Sequence, residues 1–225
     1  MIKAVLFDLD GTLLDRDASL KGFIDAQYNR LHTFLGHIAK KDFKARFVAL
    51  DARGYVWKDK VYRQLIDEFE IKGMTWEELL DDYVTQFSHN CIPFPNMIEL
   101  LEYLQNQKIL LGMISNGSAA LQYSNIQALG IEKYFATILI SEKEGIKKPD
   151  AQIFMKSMEN LAVKPTESIY VGDHPVNDVQ ASRNVGMTAI WKKDIFWDAP
   201  VQADFIIEDL AELKPIIEQL QIGNH

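Results

Sequence analysis

The first apolar run of the chain, Ala4–Phe7, ends in two carboxylates within Asp8-Leu9-Asp10-Gly11-Thr12-Leu13. Side chains two residues apart on an extended chain project to one side, so Asp8 and Asp10 share a face there. Their repulsion calls for a cation or a shared proton. A turn with capping aspartates is the plain alternative for a bare Asp-x-Asp. A calcium-loop reading fails, because Gly11 falls at the fourth position instead of the sixth and no Glu stands at the twelfth. Three more segments carry groups of the same kind. Ser115-Asn116-Gly117 follows an apolar run and opens a helical pattern, so its hydroxyl and amides suit phosphate oxygens, or form a simple helix cap. It is no serine-hydrolase elbow, since Met113 stands where that motif needs Gly. Lys147-Lys148-Pro149-Asp150 puts a lysine before a helix start, an unfavourable place for a cation unless it is a solvated loop residue. In Gly172-Asp173-His174-Pro175-Val176-Asn177-Asp178 a helix cap explains one aspartate and leaves the other without a task.

The elements that must position these groups are short. Apolar runs at Ile109–Ile114, Thr137–Ile140, Ser168–Val171, Thr188–Trp191 and Asp204–Ile207 match Ala4–Phe7 and suit strands buried on both faces. Helical patterns lie between them, at Met97–Leu104, Ala119–Leu129, Ile153–Leu161, Val176–Val185 and Leu210–Leu220. Strand and helix in alternation predict an α/β protein, a Rossmann-like parallel sheet covered by helices, whose site lies beyond the carboxyl ends of the strands. Residues 16–90 break the alternation and read as helical throughout. One amphipathic helix is expected from Phe23 to Ile38, with further helices at Phe43–Leu50, Lys60–Phe69 and Trp76–Phe87. The predicted organisation is a catalytic core of residues 1–15 and 91–225, with a helical insertion at 16–90. Cys91-Ile92-Pro93-Phe94-Pro95 is the return linker, stiffened by two prolines.

Taken together, in this order and at successive strand ends, the four segments resemble the haloacid dehalogenase superfamily of phosphatases and phosphotransferases. The resemblance covers residues 1–15 and about 94–220, and places 16–90 where that family inserts its C1-type cap. His174-Pro175 departs from the small polar residues more usual after the Gly-Asp pair. The resemblance implies Asp8 as nucleophile and Asp10 as general acid and base. It implies Mg²⁺ held by Asp8, Asp173 and the backbone carbonyl of Asp10, phosphate held by Ser115, the Asn116 amide and Lys148, and Asp178 supporting Lys148 or a metal-bound water. The implied activity is a Mg²⁺-dependent phosphatase acting on a small phosphomonoester through an aspartyl-phosphate.

Elementary electrostatics agrees. A phosphate monoester is a dianion, so a carboxylate nucleophile needs positive charge beside it, and Mg²⁺ with Lys148 would supply that. Within the family, Asp10 argues against a haloacid dehalogenase, which lacks that second aspartate, and against a transport ATPase, which carries Thr there. A sugar phosphomutase uses the same aspartates and stays open. A non-catalytic binding module would be expected to have lost Asp8 or Asp10. The insertion is expected to act as a mobile lid that selects the leaving group, with Arg16, Arg53 and Lys58 as candidate contacts.

The chain's 225 residues are 48% apolar and 25% charged, ordinary for a globular protein. A net charge of −8 argues against a nucleic-acid partner. No apolar run reaches the ~20 residues of a bilayer helix. The N-terminus is too short in apolar residues for a signal peptide, and the single cysteine, Cys91, fits a reducing cytoplasm. Nothing in the residues points to an oligomeric state. His32, His37 and His89 share no metal-ligand spacing and read as surface or packing residues. His174 reads as structural, and Cys91 as inert. The acidic stretch 67–82 reads as a solvated face. The basic stretch 40–63 is either a solvated face or a positive surface that attracts anions.

Overall fold

The computed structural model describes residues 1–197 and 201–222. By contact density the chain divides into two units, Met1–Asp15 with Pro93–His225, and Arg16–Ile92. The second division lies two residues beyond the 90/91 boundary read from the sequence.

The first unit is built on a six-stranded, wholly parallel sheet. Its strands are β1 (Ala4–Phe7), β2 (Leu110–Ser115), β3 (Thr137–Ile140), β4 (Ser168–Gly172), β5 (Thr188–Lys192) and β6 (Phe205–Ile207), in spatial order β3-β2-β1-β4-β5-β6. All four residues of β1 and all five of β4 are buried, as near-continuous apolar runs covered on both faces must be. Helices provide the cover. Met97–Asn106 buries Met97, Leu100, Leu101 and Leu104, a stripe at i, i+3, i+4 and i+7. Ala151–Asn160 turns Ile153, Phe154 and Met158 into the core and is capped by Asp150, which accepts from the Gln152 amide at 2.9 Å.

Register then fixes where chemistry can occur. Phe7, the last residue of β1, lies level with Met113 of β2 on one side and Val171 of β4 on the other. Asp8 continues that ladder by donating its amide to the Val171 carbonyl at 2.9 Å. From β1 the chain winds one way through β2 and β3, and the other way through β4 to β6. The reversal puts a crevice beyond the ends of β1 and β4, where open α/β sheets bind ligands.

Two expected helices differ in detail. The segment expected at Val176–Val185 begins at Pro175 with wide π-type turns to Gln180 and tightens to an α-helix only over Ala181–Asn184. The segment expected at Leu210–Leu220 starts as a 3₁₀ turn, Leu210–Glu212, capped by Asp209, before the helix Leu213–Ile222.

The second unit is all helical, with helices Arg16–Arg30, Lys40–Asp51, Lys58–Phe69 and Trp76–Gln86 and short helical turns between them. Aromatic edges fill its centre: Phe23 meets Tyr83 at 5.1 Å, and Phe47 meets Tyr62 at 5.4 Å. The single helix expected from Phe23 to Ile38 does not form. The first helix stops at Arg30, and a separate turn follows at His32–Leu35. Its periodicity continues past the break because the folded-back chain still buries Leu35 and Ile38. The Tyr28 hydroxyl donates to the Ile38 carbonyl at 2.6 Å, whereas ten residues of straight helix would hold them about 15 Å apart.

Candidate active site

At the end of β1 the chain leaves the sheet through Asp8 and turns tightly, with the amides of Leu13 and Leu14 both donating to the Leu9 carbonyl. Gly11 takes φ +85°, and a Cβ there would come within 2.6 Å of Asp173 Oδ2. A glycine is therefore what lets the turn after β1 lie against the acidic end of β4. Gly172 serves the next approach, since a Cβ on it would overlap Asp178 Cβ and Cγ. The wide turns after Pro175 return Asp178 toward the sheet, and π-type winding of this kind is frequent at functional sites.

Lys148 reaches into the middle of these carboxylates. Its Nζ lies 2.7 Å from Asp8 Oδ1, 2.6 Å from Asp178 Oδ1 and 2.9 Å from the Tyr170 hydroxyl, so three donors meet three acceptors. The side chain is 3% exposed. Burial alone would lower the lysine's pKa, but Asp178 and Asp8 outweigh it and hold the ammonium charged. Asp178 Oδ2 accepts the His174 amide at 2.9 Å, so both of its oxygens are engaged.

The carboxylates outnumber the ammonium. Atoms of Asp8, Asp173 and Asp178 lie within 4.8 Å of one another, and together with Lys148 they carry two negative charges in excess when ionised. Burial first, then Asp178 and Asp10 against the opposing pull of Lys148, pushes Asp8 up to about 7. Asp173 is driven well above the usual carboxylate range by burial and by the charges of Asp178 and Asp8. An all-oxygen donor set with this surplus fits a hard divalent cation, which would return both groups to their ionised forms. The Asp173 backbone is held by Trp191, whose indole Nε1 donates to the Asp173 carbonyl at 2.7 Å.

Asp10 stands apart from the lysine cluster. Its Oδ2 accepts from Gln122 Nε2 at 2.6 Å, and the same amide donates to Ser115 Oγ at 2.8 Å. Asn116 turns its side chain to the backbone of Lys148. The structure thus brings together Asp8, Lys148, Asp173 and Asp178, and links Asp10 to Ser115.

Each of the three candidate cations of the helical unit has a carboxylate partner in that unit. Lys58 is buried and paired with Asp51, and Arg16 reaches the same carboxylate at 3.0 Å. Arg53 lies 4.0 Å from Asp17. The burial of Lys58 argues against its assignment to a leaving group. His174 has a structural position, because Nδ1 accepts the amides of Val176 and Asn177 and so caps the turns that carry Asp178.

A family model described as haloacid dehalogenase-like hydrolase matches residues 5–192. The chain belongs to that family. A glyceraldehyde 3-phosphate phosphatase of Pyrococcus furiosus is 27% identical, over 97% of this chain and 94% of its own length. A phosphoglycolate phosphatase of Agrobacterium fabrum is also 27% identical, over 94% and 91%. The crystal structure of a haloacid dehalogenase-type phosphatase from Thermococcus onnurineus superposes with a TM-score of 0.68 at 30% identity, over 96% of this chain and 98% of that one.

Four residues at or beside this hydrolase's site have no counterpart among the motifs read from the sequence. Gln122 and Asn125 lie on the buried face of helix Ala119–Ala128, where polar side chains at i and i+3 beside Leu121 and Ile126 were the available signal. Tyr170, inside an apolar strand, was masked by its own hydrophobicity. Lys192 ends β5, 5% exposed, with Nζ 3.4 Å from the centre of the Phe94 ring. Burial pulls the Lys192 pKa down against the opposing charges of Asp173 and Asp194. Its signal was a cation closing an apolar strand.

Proposed function

We propose that this hydrolase is a Mg²⁺-dependent phosphatase that cleaves a small phosphomonoester through an aspartyl-phosphate on Asp8. The supporting observation is the separation of two neighbouring carboxylates into different environments. Asp8 is buried against the Lys148 ammonium, while Asp10, two residues on, is held by the Gln122 amide. Paired acids in distinct surroundings can take distinct roles.

In this reading the Asp8 carboxylate attacks phosphorus as the bond to the leaving oxygen breaks, and Asp10 gives that oxygen its proton. Asp10 then takes a proton from water, whose oxygen attacks phosphorus and releases phosphate and the Asp8 carboxylate. Lys148 holds Asp8 in line and adds positive charge beside the phosphoryl oxygens. Ser115 and the Asn116 amide hold those oxygens at the end of β2. Mg²⁺ held by Asp8, Asp173 and the Asp10 carbonyl, with Asp178 close by, would neutralise part of the phosphate's charge. The Pyrococcus and Agrobacterium relatives are named for small phosphorylated metabolites, which supports the same class of substrate here. Selection among them is assigned to the helical unit. A cytoplasmic setting belongs to the same reading, and no helix among the described residues is long and apolar enough to cross a membrane.

The test is phosphate release over a panel of phosphorylated metabolites with Mg²⁺. Asp8→Asn should abolish release, and Asp10→Asn should reduce it by roughly 10²–10⁴-fold. Near-normal release by Asp8→Asn would overturn the covalent route. Return of the phosphoryl group to a sugar phosphate, with none lost to water, would assign a phosphomutase instead.

A further inference from the structure

We propose that Gln122 is a positioning residue that sets the direction of proton delivery by Asp10. The inference rests on the reading of Asp10 as proton donor. One amide nitrogen, Gln122 Nε2, lies 2.6 Å from Asp10 Oδ2 and 2.8 Å from Ser115 Oγ, with a third, longer approach of 3.3 Å to the Asn116 carbonyl. Gln122 is 3% exposed, so these bonds are made away from competing water. Asn125 Nδ2 donates to Gln122 Oε1 at 3.2 Å, which settles which end of the amide faces the carboxyl group.

The consequences follow from hydrogen count. An amide NH₂ donates and cannot accept, so Asp10 Oδ2 is an acceptor in either protonation state. The transferable proton therefore sits on Oδ1, and one rotamer of Asp10 presents it. Ser115 Oγ also receives a hydrogen from Gln122 Nε2, so the amide is anchored to the end of β2 while it holds Asp10. Ser115 ends β2, while Asp10 follows β1. Gln122, on the helix that follows β2, is the side chain that ties the phosphate-holding group to the acid.

Removal of the donor should therefore act on the proton transfer more than on substrate binding. The variants are Gln122→Met and Gln122→Leu, both close to the original volume and neither with a hydrogen to donate. Two esters are compared. One is an alkyl phosphate found active in the metabolite panel, whose alkoxide needs a proton. The other is a nitro-substituted aryl phosphate, whose phenolate leaves without one. Single-turnover release of the alcohol isolates the first step from the later hydrolysis. For the alkyl ester the rate should fall roughly 10- to 100-fold in either variant, with KM changed by less than about threefold. For the aryl ester the rate should change by no more than about threefold. Asp10→Asn should show the same selectivity between esters, and adding Gln122→Met to it should cause no further loss on the alkyl ester.

An equal fall on both esters, or losses that add in the double variant, would overturn the inference. Unfolding midpoints in urea show that each variant tested is folded, and the Leu variant carries the test if the Met variant is not. Should Asp10→Asn itself fail to distinguish the esters while wild type hydrolyses both, Asp10 is not the acid. The functional reading then fails at that residue and takes this inference with it.

Discussion

Asn116 grips Lys148 by its backbone at two points: Nδ2 donates to the Lys148 carbonyl and Oδ1 accepts the Lys148 amide, both at 2.9 Å. The pair reproduces the in-and-out pattern of a strand ladder with a side-chain amide in place of a neighbouring chain. It anchors the loop after β3 to the end of β2, so the lysine side chain leaves from a fixed point toward Asp8 and Asp178.

The clamp makes Asn116→Ala a test of positioning. Two net hydrogen bonds are worth about 1–3 kcal/mol of stability together. Lys148 should also lose its fixed origin, so kcat should fall while the fold persists. Asn116→Asp keeps the acceptor for the Lys148 amide but sets a second oxygen against the Lys148 carbonyl, so it should be no milder than Ala. Urea unfolding and phosphate release, measured on both variants, check that both fall below wild type.

Lys148 also binds a buried ion cluster together. Removing one partner from a buried ion cluster leaves charge without compensation, at a typical cost of about 3–5 kcal/mol. Lys148→Met should therefore destabilise the core by an amount of that order at neutral pH and abolish turnover. Adding Asp178→Asn to Lys148→Met removes one of the stranded carboxylates and should recover part of the stability without recovering activity. A double variant less stable than Lys148→Met alone would contradict the charge argument.

Metal binding is open to measurement apart from turnover. A ligand that binds the folded state at 100 times its Kd stabilises it by about 2.7 kcal/mol. Mg²⁺ should raise the unfolding temperature of the wild-type protein, and EDTA should reverse the rise. In Asp173→Asn the donor set loses a charge, so the shift should shrink sharply. In Glu68→Gln, a change far along the chain from the Asp8, Asp173 and Asp178 cluster, it should persist in full.

Much of this arrangement was legible because it is local in sequence. The order of apolar runs, and acids or hydroxyls at their carboxyl ends, follow from strand burial and from a parallel sheet having all its chain ends on one side. Asp8, Ser115 and Asp173 could be singled out on that ground, and Lys148 through the resemblance that the segments carry together. Gln122 could not, because its task depends on which buried face of a helix meets a loop more than a hundred residues earlier. Tyr170 looked like one more strand residue until its hydroxyl met Lys148. The break at Leu31 escaped periodicity for a similar reason, since Leu35 and Ile38 stay buried after the chain reverses. Lys58 shows the converse: it was named as an anion contact, and the fold gives it a buried partner, Asp51, that sequence did not reveal.

One exposed pair gives a pH signature. Glu68 is bonded by Arg46 through both oxygens at 2.6 Å and by Gln64 at 2.8 Å, which holds its carboxyl at about 2, below the ordinary 4.5. A depressed folded-state pKa contributes stability that is present above 4.5 and is lost as the pH falls toward 2. The Glu68 carboxyl resonance should titrate with a midpoint near 2 in wild type and move back up in Arg46→Ala.

The last prediction concerns the helical unit and its Asp51 cluster. Asp51 is fully buried at the end of helix Lys40–Asp51, between the Lys58 ammonium and the Arg16 guanidinium. Gly54, at φ +90°, stands where a Cβ would lie 2.8 Å from Arg16 Nη2, so the backbone itself is shaped around that guanidinium. A buried carboxylate needs its cations more than the unit needs any one of them. Asp51→Asn takes a buried carboxylate away from the Lys58 ammonium, and should destabilise the protein by about 3–5 kcal/mol. Lys58→Met alone keeps Arg16 on Asp51 and should cost less, because Arg16 is also 15% exposed and part-solvated. Asp51→Asn combined with Lys58→Met removes both members of the buried pair, and should lie closer to wild type than Asp51→Asn does. Equilibrium unfolding in urea gives all three values. Substrate ranking over the metabolite panel should be unchanged by Lys58→Met wherever the variant is folded. A changed ranking would return Lys58 to the candidate substrate contacts.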